Sequence, residues 1–254
     1  DERFKVLVET LSARLPECDA RTLALSADAA ARFRASTPEL VALAEQAAET
    51  MISRQNAFKP RKLAALALAL AARNVHGHPL EASQLGSAVA FVRGESFRQM
   101  QEFDPSCCAT LLEAFRRWGV KDTELANIIL ERMWDTVDMF TCKDVVETFT
   151  VMSKLSLTRG PLLRRLCQLT FQGLSLGRFT PRQLVAIVSA LTRLRFMSAR
   201  DMDDILDALL PSLGKLSDLQ VSQLLFAIAM VSHSRHVDLA CVLVAQYADG
   251  VDGT

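Results

Sequence analysis

Apolar residues recur at threes and fours along most of this chain, the spacing that collects them on one face of a helix. Leu184, Ile187, Leu191 and Leu194 are the clearest run. That run opens with Phe179-Thr180-Pro181-Arg182-Gln183-Leu184, which has a counterpart in Phe58-Lys59-Pro60-Arg61-Lys62-Leu63. Self-similarity of this kind is the mark of a repeat architecture. With the phenylalanine as column one, the register extends to six starts, at Cys18, Phe58, Phe103, Phe140, Phe179 and Leu216, at intervals of 40, 45, 37, 39 and 37 residues. Column six then reads Leu23, Leu63, Cys108, Val145, Leu184 and Val221, and column twelve reads Ala29, Ala69, Ala114, Val151, Ala190 and Ala227. Both columns are uniformly small or apolar, so the first element of each repeat is a helix with a buried face, and column twelve leaves room for a neighbouring helix to come close.

Proline at column three (Pro60, Pro105, Pro181) suits a first helical turn, where its missing N–H has no partner to lose. A second amphipathic segment follows in each repeat, at Thr123 to Val137, Pro161 to Leu174 and Ala199 to Leu213, after turns marked by Gly77, Gly119 or Gly160. Each repeat is therefore a helical hairpin. One hairpin cannot cover its own apolar face, and stacking solves this. The expected fold class is all-α, an α-solenoid of about five to six stacked hairpins forming a single domain over residues 1–254. The long interval after Phe58 predicts an insertion around Val92 to Gln101, and Phe4 to Leu15 reads as the second helix of a repeat whose first helix is absent.

Composition supports helices: glycine (10), proline (8) and tyrosine (1) are scarce. The longest apolar run, Leu63 to Ala72, is far short of the roughly 20 residues that cross a bilayer, so no membrane span is expected. Charge adds more. Lys plus Arg and Asp plus Glu both number 29, which argues against a generic polyanion binder, but the balance is uneven. From Phe140 to Arg200 ten basic residues stand against Asp144 and Glu147, a net of plus eight; from Asp201 onward eight Asp stand against Lys215 and Arg235, a net of minus six. Column four is basic at Arg21, Arg61, Lys143 and Arg182, and column fifteen at Arg32, Arg117, Lys154 and Arg193. Eleven residues at about 100° each make three turns plus about 20°, so both columns share one face, away from the apolar one. These eight residues are the candidate site, a stripe able to follow a phosphate backbone. The alternative reading is a solvated face, or salt bridges to neighbouring repeats and proteins.

Consecutive helical hairpins of about 37 to 40 residues, opened by phenylalanine or leucine and alanine-rich inside, resemble the heptatricopeptide and octotricopeptide repeat families over Cys18 to about Val244. Members of those families are organellar RNA-binding proteins, many ending in a RAP domain, and related proteins occur in the mitochondrial ribosomes of apicomplexan parasites. The resemblance implies an organellar RNA partner and a mitochondrial location, or another organelle. The proline- and tryptophan-containing octotricopeptide signature is absent, and four of the six column-one positions, which are packing positions, are phenylalanines. The expectation is therefore backbone or shape recognition of structured RNA, with no exposed aromatic platform for stacking bases.

No GxGxxG, GxxxxGK[ST], HExxH or GxSxG motif occurs, so neither catalysis, a cofactor nor a small-molecule substrate is expected. Cys18, Cys107, Cys108, Cys142, Cys167 and Cys241 lack CxxC spacing and read as reduced core residues rather than zinc ligands. His76, His78, His233 and His236 read as surface turn residues, and Asp201, Asp203, Asp204 and Asp207 as a cluster capping and solvating a helix start. Two functions remain: an RNA-binding repeat protein, plausible as a mitoribosomal component holding ribosomal RNA along the eight-residue stripe among neighbouring proteins, or a purely protein-binding scaffold subunit of a large assembly.

Overall fold

The structure is a computed structural model and describes residues 2–19, 58–75 and 82–231 continuously, with separate positions between 22 and 53 and at 241 and 244. Among the described residues it contains no strand. Ten α-helices are described: α1 Glu2–Arg14, α2 Pro60–Val75, α3 Ala82–Gln99, α4 Pro105–Trp118, α5 Thr123–Asp135, α6 Cys142–Leu155, α7 Gly160–Ser175, α8 Pro181–Arg193, α9 Ala199–Leu209 and α10 Asp218–Val231. The fold is the all-α helical-repeat class that the register predicts. The chain divides into two compact units, Asp1–Thr136 and Val137–Thr254.

The repeat logic holds within each unit. In the first, α2 packs along α4, and α3 and α5 fold back on them as the second arms of hairpins. In the second, α8 packs between α6 and α10, with α7 and α9 as second arms. First helices thus stack on first helices, and the register explains why. Column six is buried at every start, from Leu23 and Leu63 through Cys108, Val145 and Leu184 to Val221. Column twelve is buried at Ala69, Ala114, Val151, Ala190 and Ala227, small side chains that permit the close approach; Ala29 lies outside the described residues. Column one anchors the helix entry: Phe58, Phe103 and Phe179 are buried, whereas Phe140, Leu216 and Cys18 are half-buried.

Local chemistry sets the helix ends. Pro60, Pro105 and Pro181 each open a helix, as column three predicts. Asp104 accepts from the Cys107 N–H at 2.7 Å, and Thr141 with Asp144, Thr180 with Gln183 and Ser198 with Asp201 form reciprocal capping boxes. Gly119 closes α4 in the left-handed region at φ 74°, where a side chain is strained. Gly160 instead begins α7, and Gly77 lies outside the described residues. Part of the surplus in the long interval is helix: α3 has 18 residues against 13 in α5.

Arg93 on α3 straps the first unit. Its Nε donates to Asp122 at 2.6 Å and its Nη2 to Glu124 at 2.5 Å, and the guanidinium lies 4.6 Å over the Phe97 ring. Burial would push the Asp122 carboxyl up, but the Leu125 N–H and Arg93 hold it below the usual carboxylate range.

Gly173 on α7 is where column one meets a second helix. A Cβ there would lie 2.5 Å from Cε2 of the Phe179 ring, whereas one at Gly94 on α3 would meet nothing within 4 Å. Both glycines are helical, so alanine gains helix propensity at each, about 1 kcal/mol. The expected results have opposite sign: Gly94→Ala raises the denaturant midpoint, and Gly173→Ala lowers it by the equivalent of about 1–2 kcal/mol, because displacing a packed ring outweighs the propensity gain.

Candidate nucleic-acid interface

Helices α6 and α8 present the repeat's outward columns side by side. On α6 these are Lys143 and Lys154, on α8 Arg182 and Arg193, and all four side chains are exposed. Eleven residues of helix rise about 16 Å, and packed helices run about 8–10 Å apart, so the four cations frame a patch of roughly that size. Between them lie the smaller Thr150, Ala186 and Ser189, all half-buried. The register thus sets four exposed cations around smaller, half-buried side chains.

The four are not electrostatically equivalent. Lys143 Nζ stands 3.6 Å from Glu147 Oε1, a loose and well-solvated pair. Arg182 and Arg193 make no ion pair among the described residues. Elsewhere in the same unit Arg165 is engaged, donating to Asp138 at 2.6 Å, so part of the positive excess between residues 140 and 200 serves local structure. What remains at Arg182 and Arg193 can make charge-assisted bonds to an incoming anion.

The other four stripe residues divide differently. Arg61 is exposed in the first turn of α2, and Arg117 is half-buried near the end of α4. Arg117 Nε donates to Glu113 Oε1 at 2.9 Å, and Arg116 holds the same carboxylate at 2.7 Å. Arg117 is thus drawn into a local network, the salt-bridge alternative the sequence left open. Both belong to the first unit, whereas the lysines and arginines of α6 and α8 belong to the second. Arg21 and Arg32 lie outside the described residues.

The expectation that no aromatic platform is exposed needs correction. In the last repeat, columns four, eleven and fifteen read Leu219, Phe226 and Met230, and on α10 these are 68%, 55% and 52% exposed. The expectation rested on the phenylalanines of column one, and Phe226 sits at column eleven. The signal that finds it is the set of outward columns in the last repeat. Trp134 on α5 is a second exposed aromatic, in the first unit.

Other groups take structural roles. Burial pushes the Cys107, Cys108 and Cys167 thiols up to about 12, with Asp104 adding to the effect at Cys107. These thiols stay protonated at neutral pH and serve as packing atoms. Asp201 accepts from its Ser198 cap partner's hydroxyl at 2.6 Å, which fits the capping reading of the acidic cluster. His76, His78, His233 and His236 lie outside the described residues. Among the described residues no cluster of His, Cys, Asp or Glu could hold a metal, and no helix is long and apolar enough to cross a membrane.

Fold and surface together define an all-α helical-repeat protein with a cationic outer face in its second unit. Residues 87–236, more than half of the chain, match the family model of the RNA-editing substrate-binding complex 6 protein, and the chain belongs to that family. This is a different family from the heptatricopeptide and octotricopeptide repeats that the pattern resembles. The matched span includes Arg117, Lys143, Lys154, Arg182, Arg193 and Phe226, and leaves out Arg21, Arg32 and Arg61. No curated protein matches the chain.

Proposed function

We propose that this protein is a non-catalytic RNA-binding component of a mitochondrial RNA-editing complex, and that it holds RNA by its phosphates on the face of α6 and α8. The observation that carries this reading is the exposed quartet of Lys143, Lys154, Arg182 and Arg193 on two packed helices. Its family supports it, being named for a complex that binds editing substrates. The mitochondrial location is part of this proposal, suggested by the resemblance to organellar RNA-binding repeats. Phosphate contacts fix position and register without reading sequence. The family name favours an editing substrate over ribosomal RNA; a place in a mitochondrial ribosome rests on the repeat resemblance alone.

A protein-binding scaffold is the second reading, favoured by the exposed apolar Val6 and Leu7 on α1. Ultraviolet crosslinking in native organelle extract, with mapping of modified peptides and attached RNA, separates the two. RNA adducts on peptides containing Arg182 or Arg193 are the expected result. Protein-only crosslinks, from a fraction that contains RNA, would leave the scaffold as the function.

A further inference from the structure

We infer that α10 carries a base-stacking platform, Phe226 flanked by Leu219 and Met230, that continues the cationic face of α6 and α8 and makes the protein prefer single-stranded over duplex RNA. This rests on the proposed RNA-binding role and adds the kind of RNA and the residue that selects it.

Columns four, eleven and fifteen fall on one line along each first helix, because seven and eleven residues return to within about 20° of the start. On α6 the line reads Lys143, Thr150, Lys154, and on α8 Arg182, Ser189, Arg193. On α10 it reads Leu219, Phe226, Met230. Helix α10 packs directly on α8, so the platform adjoins the arginine pair within one unit. A single exposed apolar residue needs no explanation. Three large ones aligned in the columns that carry cations on the two preceding helices are a change of chemistry along one continuous face.

An unpaired RNA strand has both chemistries to offer. Its phosphates suit lysine and arginine, and its bases present apolar π-faces that stack on phenylalanine and pack against leucine and methionine. A duplex keeps those faces stacked inside itself and can use only the cations. A partner protein that covered α10 with an apolar helix would leave the adjacent arginines unmatched unless it were also acidic. Single-stranded RNA satisfies both surfaces without that added condition.

The test uses the full chain and two labelled probes, a short oligouridylate and a duplex of equal length, in fluorescence anisotropy across a salt series. Phe226→Ala is expected to weaken oligouridylate binding roughly 5- to 100-fold, to leave duplex binding and the salt slope unchanged, and to leave thermal stability unaltered because the side chain is exposed. Phe226→Trp should restore binding, and Phe226→Leu, apolar but unable to stack, should not. Full activity in Phe226→Leu, or equal loss on both probes, would overturn the stacking platform. No effect of Phe226→Ala, alongside weakened binding in an Arg182→Ala/Arg193→Ala variant, would overturn the platform and leave the phosphate grip standing. Failure of the unmodified protein to bind either probe would remove both proposals. Loss of a protein partner from extract in Phe226→Ala, with RNA binding intact, would overturn the platform and make α10 a protein-docking face.

Discussion

Replacing Phe103 by alanine is expected to lower the unfolding free energy by about 3–5 kcal/mol, the cost of deleting a fully buried aromatic ring and leaving its cavity. Phe103 has no exposed surface, and it opens the repeat whose first helix, α4, packs along α2. Its backbone is held independently: the N–H donates to the Met100 carbonyl at 3.1 Å, and the Phe103 carbonyl accepts from Arg132 Nε at 3.0 Å. The loss therefore reports the ring. Against a total stability of roughly 5–15 kcal/mol for an ordinary domain, it is a large fraction. Phe226→Ala is the internal control, expected within about 0.5 kcal/mol of the parent because that ring faces solvent. Equilibrium denaturation reads both, and a Phe103→Ala protein as stable as its parent would show that column one is not a packing column.

The second large effect is on binding. Removing all four cations of the second-unit face, as Lys143→Ala/Lys154→Ala/Arg182→Ala/Arg193→Ala, is expected to flatten the salt dependence of RNA binding. Each phosphate contact with a single strand contributes a slope of about −0.7, so four account for about −2.8. Carried to 0.1 M salt, this corresponds to an affinity lower by roughly a few hundred-fold. Stability should scarcely change, because all four side chains are exposed and interactions of exposed charges contribute little. Arg117→Ala in the first unit is the contrasting variant. It breaks a bond to Glu113 that Arg116 also holds, and is expected to leave RNA affinity near that of the parent.

Much of the fold is legible in the sequence because a repeat states the same packing instruction several times. Columns six and twelve read as buried from their side-chain types alone, and Leu63, Ala69, Leu184 and Ala190 are indeed buried. Prolines and capping residues announce the helix starts for local reasons: Thr180 with Gln183 and Ser198 with Asp201 need only three residues of chain to form. What the sequence left unread is tertiary or depends on length. Part of the surplus between Phe58 and Phe103 extends a helix: Val92 to Gln99 contains no proline, and its buried Glu95 accepts from Arg98 and Gln99. The competition for Arg117 between solvent and Glu113 is settled by side-chain geometry that a column count does not contain. At α10 the register itself held the answer, but a search for basic columns passes over the apolar residues that occupy the same places. The cations of α6 and α8 were legible as a pattern, and the structure adds that two packed helices carry them together.

The phosphate grip is tested with fewest intermediate steps by the affinity of the intact protein for an unstructured RNA strand as salt is raised. Contacts from Lys143, Lys154, Arg182 and Arg193 predict that log K falls linearly with log salt, with a slope of about −2.8 or steeper. A flat line, or no measurable binding at low salt, would contradict the phosphate grip and return the second unit's cations to the role of a solvated surface.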